Sequence, residues 1–430
     1  MKLIIHSGSN KIGGSCVELK TDTARILIDF GMPLVGEARE PFDQRSLIGK
    51  SIEDLKTSKI LPDVKGLYKT EERSIDAILI SHSHLDHYGL LNYAHPDIPV
   101  YMTAGANELI NVSNIFTPNR IDHVNARIIK SGKQFDIKDM AIMPYQVDHS
   151  AFDALAFLVE SGGKRVFYSG DFRGHGRKSA LFDMMVEDPP KDIDCLVMEG
   201  SMIGRGEQEY KNEIAVQSRI EDILKEAKNI SFLFMSAQNI DRVVSAYKAC
   251  LRTGSTLVID IYAAFVLDKL RKVSKSIPQF NWKNIRVKFF SDHAEALTKA
   301  GYRDLLFVYN KRKIDYLEIN KKKSRILMMA RNNSVFPKML KELGDTKGSK
   351  IVYSMWMGYL TDKFKEYCGK KGLEIEPVHT SGHATLENLK TFAAALNPKA
   401  LLPIHTFEAD QFPQLFKNVR IVRDEEEFQV

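Results

Sequence analysis

Three histidines and an aspartate fall within six residues of the run Ile80-Ser81-His82-Ser83-His84-Leu85-Asp86-His87-Tyr88-Gly89. The run follows directly on the apolar segment DAILI (76–80). Four metal-capable groups in a loop beside the core cost stability unless something coordinates them. Imidazoles and carboxylates without cysteine suit Zn²⁺ or another borderline cation, with Mn²⁺ as the alternative. Four residues cannot complete two sites, and further candidates stand behind later apolar runs: Asp148-His149, Asp171 in SGDF, and His405 in LLPIH, with Asp29 closing ILID. Two cations roughly 3.5–4 Å apart can activate a hydroxide and stabilise both oxygens of an in-line displacement. No Ser/His/Asp or Cys/His arrangement competes for the nucleophile's role.

These groups need a rigid frame. The short β-branched runs 24–29 (ARILID), 76–80, 166–169 (VFYS) and 195–198 (CLVM) read as buried strands, each followed by polar residues. Reactive groups at strand ends are what a layered α/β architecture supplies. Helical periodicity is clear at 212–227, 242–252, 263–274 and 386–396. Residues 32–72 are charged and weakly periodic apart from a short helix near 52–55. They read as an insertion over the strand ends, in the position of a lid. No internal repeat or low-complexity segment is present.

At 430 residues the chain is longer than one compact domain usually holds. Its start has no signal-peptide core, and no stretch approaches a membrane span. Cys16, Cys195, Cys250 and Cys368 are widely spaced and form no CxxC pair, which points to a reducing compartment, the cytoplasm, and away from a thiolate zinc site. The net charge of +6 is unevenly spread. Residues 199–377 hold 33 Lys/Arg and 21 Asp/Glu, a balance of +12, which leaves −6 for the remainder. Within 269–331 there are 17 basic and 5 acidic side chains, including Lys311-Arg312-Lys313 and Lys321-Lys322-Lys323. A lysine-rich run is often only a solvated surface, but such asymmetry also suits a polyanionic partner.

The order HxHxDH, downstream His149, strand-terminal Asp171 and late His405, with Asp29 early, resembles the metallo-β-lactamase superfamily over the whole chain. The resemblance implies an αββα sandwich. It also implies one metal on His82, His84 and His149, a second on Asp86, His87 and His405, Asp171 bridging both, and Asp29 orienting ligands. Asp171 and His405 are 234 positions apart, and the basic segment fills most of that gap. An insertion there resembles the β-CASP group of nucleases, with Glu199 in MEGS, His379-Thr380-Ser381-Gly382-His383 and Pro403-Ile404-His405 at its three extra motifs. The wording is closest to ribonuclease J and cleavage-factor-like members.

The implied division is a discontinuous metallo-β-lactamase domain, 1–198 plus 378–430, around an α/β β-CASP insert, 199–377. The implied activity is hydrolysis of single-stranded RNA by a hydroxide activated between two metals, as an endonuclease, a 5′-exonuclease or both. His383 would donate to the scissile phosphate or the leaving oxygen, with Glu199 setting its orientation. Ser236, Asn239, Arg242, His379, Ser381 and Gly382 would contact phosphates. Histidine at the last motif accompanies RNA-processing members, whereas DNA-specific ones carry valine. Within its 430 residues the sequence shows neither the C-terminal domain of ribonuclease J nor the KH domains of the archaeal relatives. Residues 32–72 and the loop Arg331-Asn332-Asn333 also depart from the ribonuclease J pattern.

Other readings stay open. A small-molecule phosphodiester, lactone or thioester hydrolase could share the metal ligands, and so could a DNA nuclease. A pseudoenzyme that only binds RNA is disfavoured because none of the seven ligands is missing. His6, His95, His123, His175 and His293 match no motif and read as structural or surface residues. The sequence does not specify an oligomeric state.

Overall fold

The computed structural model describes all residues except 37–39, 118–119, 123 and 207. His123 therefore lies outside the described residues. The chain divides into two compact units, Met1–Gly206 with Gly382–Val430, and Glu207–Ser381.

The first unit contains two sheets. One runs Glu427–Gln429, Lys2–Ser7, Cys16–Lys20, Arg25–Ile28, Ala77–Leu79, Pro99–Thr103, Asn125–Ile129. It is antiparallel as far as Arg25–Ile28 and parallel from there on. The other runs Ala400–Ile404, Cys195–Glu199, Lys164–Tyr168, Leu155–Ser161, Met140–Gln146, Phe135–Ile137. Strand alternation sorts the side chains between layers. Ile26, Ile28, Ala77 and Leu79 face a core shared with Phe157, Val159, Val166 and Val197 of the other sheet. Their neighbours Leu27, Ile78 and Ile80 turn outward into a second apolar layer with Ala106 and Ile110 of the helix Ala104–Phe116. On the far side, Phe182 and Met185 of Ala180–Glu187 and Leu389 and Phe392 of Leu386–Leu396 cover the second sheet. The unit is thus an αββα sandwich.

The weakly periodic segment after residue 32 is more firmly built than its sequence suggests. A helix, Ile52–Thr57, starts at a capping box between Ser51 and Asp54. Ile52, Leu55, Leu61, Val64, Leu67 and Tyr68 all enter the outer apolar layer. Residues 52–68 therefore form a wall of the sandwich.

The second unit is an all-parallel sheet ordered Ile285–Lys288, Thr256–Asp260, Ile326–Ala330, Ser231–Phe234, Lys350–Tyr353, Glu374–Pro377. Helices between the strands make it an inserted α/β domain, as parallel pairing requires. Helix Ile240–Thr253 shows the local logic. Asn239 caps its first turn, and Gly254 ends it in the left-handed conformation. Part of the basic character is structural here. Arg312 donates to the carbonyls of Trp282 and Ile285, and Lys323 donates to those of Leu343 and Asp345.

Candidate metal centre

Each ligand candidate lies just beyond the C-terminal end of a strand of the first unit. His82, His84, Asp86 and His87 follow Ala77–Leu79, His149 follows Met140–Gln146, Asp171 follows Lys164–Tyr168, and His405 follows Ala400–Ile404. The histidine loop lies close against the neighbouring strand end. Asp86 O accepts from Ser15 N at 3.1 Å, and His87 O accepts from Phe30 N at 2.8 Å. A Cβ at Gly31 would lie 1.6 Å from Asp86 O, so only glycine permits this approach. Asp29 and His405 are held at φ 62° and 55°, conformations that non-glycine residues seldom adopt outside constrained sites.

The seven side chains form two adjoining groups, His82/His84/His149 and Asp86/His87/Asp171/His405. In the first, His84 Nδ1 lies 3.2 Å from both His82 Nε2 and His149 Nε2. The outer nitrogens are engaged elsewhere: His149 Nδ1–H donates to Gly382 O at 2.5 Å, and His82 Nδ1 lies 3.0 Å from Ser81 Oγ. Burial lowers the pKa of all three histidines, that of His84 to about 4, and neighbouring imidazoles add to the effect. Neutral imidazoles with converging lone pairs are what a cation requires.

In the second group Asp171 Oδ2 is central. It lies 3.2 Å from His87 Nε2, 3.6 Å from His405 Nε2 and 3.7 Å from His82 Nε2. Asp86 Oδ2 lies 3.7 Å from His87 Nε2 and 3.6 Å from His405 Nε2. His87 Nε2, His405 Nε2 and Asp171 Oδ2 are buried without a hydrogen-bond partner. Three orphaned polar atoms facing one another carry a desolvation penalty that a shared divalent cation removes. The donor set of nitrogen and carboxylate oxygen fits such an ion, and the fold class implies one.

Asp29 lies behind the candidate ligands. Its Oδ2 is 2.7 Å from His87 Nδ1 and also accepts from Ser81 Oγ–H at 2.7 Å and Tyr168 OH at 2.8 Å. This is the carboxylate–histidine arrangement that fixes a ligating ring. Despite its burial, His87 is pushed upward in pKa by Asp171, Asp29 and Asp86. Asp171, whose burial acts the other way, is held well below the usual carboxylate range by His405, His87 and His383. Tyr168 and Ser15, whose Oγ lies 3.1 Å from His405 Nδ1, escaped the sequence reading. Both stand beside strand ends, the one signal that could have flagged them.

Glu199 and His383 join the same unit. His383 Nδ1 lies 3.1 Å from Glu199 Oε2 and 3.6 Å from Asp171 Oδ2. Glu199 is held in turn by the N–H groups of Phe172, Ser201 and Ala384. Burial pushes the His383 pKa down, but Glu199 and Asp171 outweigh it and raise it to about 9.

The other substrate-contact candidates, apart from Gly382, lie in the second unit. Ser236 is exposed in a turn, Asn239 caps a helix, and Ser381 N–H donates to Gln208 Oε1 at 2.5 Å. Arg242 departs from expectation. It is fully buried and donates to Glu213, Thr380 O and Ser354 O, with His379 Nδ1 at 3.3 Å. It reads as a structural cation, because two elements cover it and a carboxylate pairs it. His6 is likewise paired, with Glu18 at 2.8 Å.

A strand-end cluster of histidine and carboxylate on an αββα sandwich is the arrangement of the metallo-β-lactamase fold, and comparison with known proteins agrees over part of the chain. Residues 61–231 match the family model described as beta-lactamase superfamily domain. An RNase J-like protein of Methanocaldococcus jannaschii is 24% identical over 66% of this chain and 63% of its own length. Transcription termination factor FttA of Methanothermobacter thermautotrophicus is 23% identical over 67% and 46%. Ribonuclease J of Helicobacter pylori is 20% identical over 94% and 56%. The chain thus spans about half to three-fifths of the length of these curated relatives. A crystal structure of a protein of unknown function from Enterococcus faecalis V583 shares the fold, with a TM-score of 0.81 at 22% identity over 99% of both chains. Residues 61–231 therefore match a beta-lactamase superfamily domain, and the relatives bear the names RNase J-like protein, transcription termination factor FttA and ribonuclease J.

Proposed function

We propose that this chain is a metal-dependent phosphodiesterase that hydrolyses single-stranded RNA, with residues 199–377 as a β-CASP insert. The observation that carries the reading is the meeting of His82, His87, His405 and His383 nitrogens around Asp171 Oδ2, all within 3.7 Å. His82, His84 and His149 would hold one ion, and Asp86, His87 and His405 the other, with Asp171 between them. Bound there, two Zn²⁺ ions, or Mn²⁺, would supply Lewis acidity to activate water and to neutralise charge on the phosphoryl oxygens. His383 keeps Nδ1–H on Glu199 and presents its other ring nitrogen as the donor to a phosphate oxygen or the leaving oxygen. Ser236, Asn239, His379, Ser381 and Gly382 supply hydroxyl, amide and imidazole donors for the strand's phosphates. RNA is favoured by the names of the relatives and by the second unit's charge, 32 Lys/Arg against 20 Asp/Glu over 207–381. Four unpaired cysteines and the absence, among the described residues, of a helix able to cross a membrane accord with a cytoplasmic site of action.

The test incubates metal-loaded protein with end-labelled, 5′-phosphorylated single-stranded RNA. Metal-dependent products are expected, and their lengths distinguish endonucleolytic from exonucleolytic cutting. Asp86→Ala/His87→Ala should give none. His383→Ala should cut about 10²–10⁴-fold more slowly while keeping its metal. Undiminished cutting by the double variant overturns the mechanism. Hydrolysis of bis-p-nitrophenyl phosphate without RNA binding at low salt indicates a small-molecule hydrolase, and preferential cutting of DNA a DNA nuclease.

A further inference from the structure

The cations of residues 269–331 fall into two sets. Several are taken up inside the inserted unit: Arg286 pairs with Glu318 at 2.9 Å, Lys299 with Glu295 at 2.6 Å, and Arg331 with Asp260. Lys269 donates to Tyr302 OH at 3.1 Å. Lys272, Lys275 and Lys283 meet no carboxylate among the described residues, and Arg271 approaches only Asp268, at 3.7 Å. All four lie between helix Ile261–Leu270 and strand Ile285–Lys288. From 269 to 291 the chain carries seven Lys/Arg and no Asp/Glu, so a large part of the unit's basic balance falls here.

The loop that bears them is firmly held. Ile277 and Phe280 are buried, and Phe280 meets Tyr309 edge to face at 4.8 Å. Trp282 O accepts from Arg312 Nη2–H at 3.0 Å. Gln279, 4% exposed, donates from Nε2 to Leu267 O at 3.1 Å, and its Oε1 has no donor. The loop encloses a surface cavity of about 430 Å³ lined by Arg271, Lys272, Lys275, Gln279, Asn281 and Trp282, with no acid among them. Pockets that take ligands begin at about 300 Å³. Trp282 is half-buried, its ring 5.6 Å from that of half-buried Tyr247. Charge and shape together select the occupant. Like charges gathered without acids repel one another, and a polyanion removes that cost. An inorganic polyphosphate would use only the cations, and an apolar segment only the ring. Cations beside an aromatic face are how sequence-tolerant sites hold a backbone and its unpaired bases together.

We propose that the pocket around Trp282 is a binding subsite for single-stranded RNA, in which Arg271, Lys272 and Lys275 hold phosphates and the indole stacks on a base. This rests on the nuclease reading above and gives it a docking subsite outside the metal centre. The loop precedes strand Ile285–Lys288, whereas the Ser236–Asn239 turn follows strand Ser231–Phe234. In an all-parallel sheet the two lie at opposite ends. The subsite therefore acts on long strands and leaves the reaction of a short substrate untouched.

The chain has two tryptophans, so Trp356→Phe leaves Trp282 as the sole indole reporter. Metal-loaded Trp356→Phe protein is titrated at low salt with a long phosphorothioate oligouridylate, with the same oligomer made abasic, and with polyglutamate. The expected result is strong quenching of Trp282 emission by the first and weaker quenching by the other two. Arg271→Ala/Lys272→Ala/Lys275→Ala should lower the slope of log affinity against log salt by about 2, at about 0.7 for each lost phosphate contact. The same variant should raise KM for long RNA and hydrolyse a 5′-phosphorylated dinucleotide at the parent rate. Trp282→Ala should weaken binding of the long oligomer roughly 5- to 150-fold, and Trp282→Phe should recover much of that loss. The three cations are exposed, so their removal tests the subsite even if Trp282→Ala fails to fold. An unchanged salt slope and KM in the triple variant overturn the subsite and leave the nuclease reading standing. Equal affinity for abasic and intact oligomers also overturns it, as does equal affinity for polyglutamate, which would make the loop a surface for acidic proteins. A parent protein that neither binds nor cuts RNA overturns the nuclease reading itself.

Discussion

Arg242 and Glu213 of the second unit are both fully buried, and the protein satisfies them itself. Two guanidinium nitrogens meet the two carboxylate oxygens at 3.0 and 3.1 Å, and Ser354, Thr380 and Ser245 take up further positions. The first unit also buries charged and polar groups around Asp171 but leaves His87 Nε2, His405 Nε2 and Asp171 Oδ2 without hydrogen bonds. Burial alone therefore does not mark a functional site. A closed network holds elements together, whereas an open one is stable only with something added.

That contrast can be broken in several places. The largest effect is expected at the open cluster. Asp171→Ala should lower bound metal, measured by elemental analysis, and reduce hydrolysis by at least about a thousandfold, because several kcal/mol of charge stabilisation are lost. Chelation of the parent protein should lower its Tm, since the orphaned groups are again unpaired. A Tm indifferent to chelation would mean that the open cluster needs no ion. At the closed network, Arg242→Ala should cost about 3–5 kcal/mol in urea denaturation by stranding Glu213, with metal content unchanged in the protein that stays folded. Loss of RNA binding at full stability would instead return Arg242 to the substrate-contact set.

Behind the open cluster, Asp29→Asn should weaken metal affinity about 10- to 100-fold, because the His87 ring loses the carboxylate that orients it. Competition against a chromogenic chelator would measure this. The smallest effect concerns the His6–Glu18–Arg25 group within the first unit. Glu18 is buried, which alone would raise its pKa, but His6 and Arg25 hold it at about 2 against an ordinary 4.5. A depressed folded pKa means that this stability is present above pH 4.5 and lost as pH falls toward 2. Glu18→Gln should flatten the denaturation-derived stability profile in that window, by roughly 1–2 kcal/mol at most.

The clustering of the candidate metal ligands was legible because their types recur behind apolar runs that read as buried strands. His82, His84, His149, Asp171 and His405 each carry that local signature. Helices with strong periodicity, such as Leu386–Leu396, were legible for the same reason. Residues 58–68 were not, because Leu61, Val64 and Leu67 reach the core from irregular backbone, where no period exists to detect. Arg242 was read as a phosphate contact because it opens a helix after Ser236 and Asn239, in a segment that resembles a phosphate-contacting region. Its burial depends on Glu213 and Thr380, 29 and 138 residues away.

What the sequence determined by itself is the chemistry: nitrogen and carboxylate donors, no thiolate, and a basic insert between Asp171 and His405. Those follow from residue type and order, which need no coordinates. The tertiary structure alone decided which polar groups were completed and which were left open. Asp29 met His87 and Tyr168, and Glu199 met His383, while the faces of His87, His405 and Asp171 toward one another stayed unpaired. Lys272, Lys275 and Trp282 likewise came to line one pocket through the anchors of their loop. Hydrogen-bond satisfaction depends on neighbours brought together from distant positions, and only packing determines those.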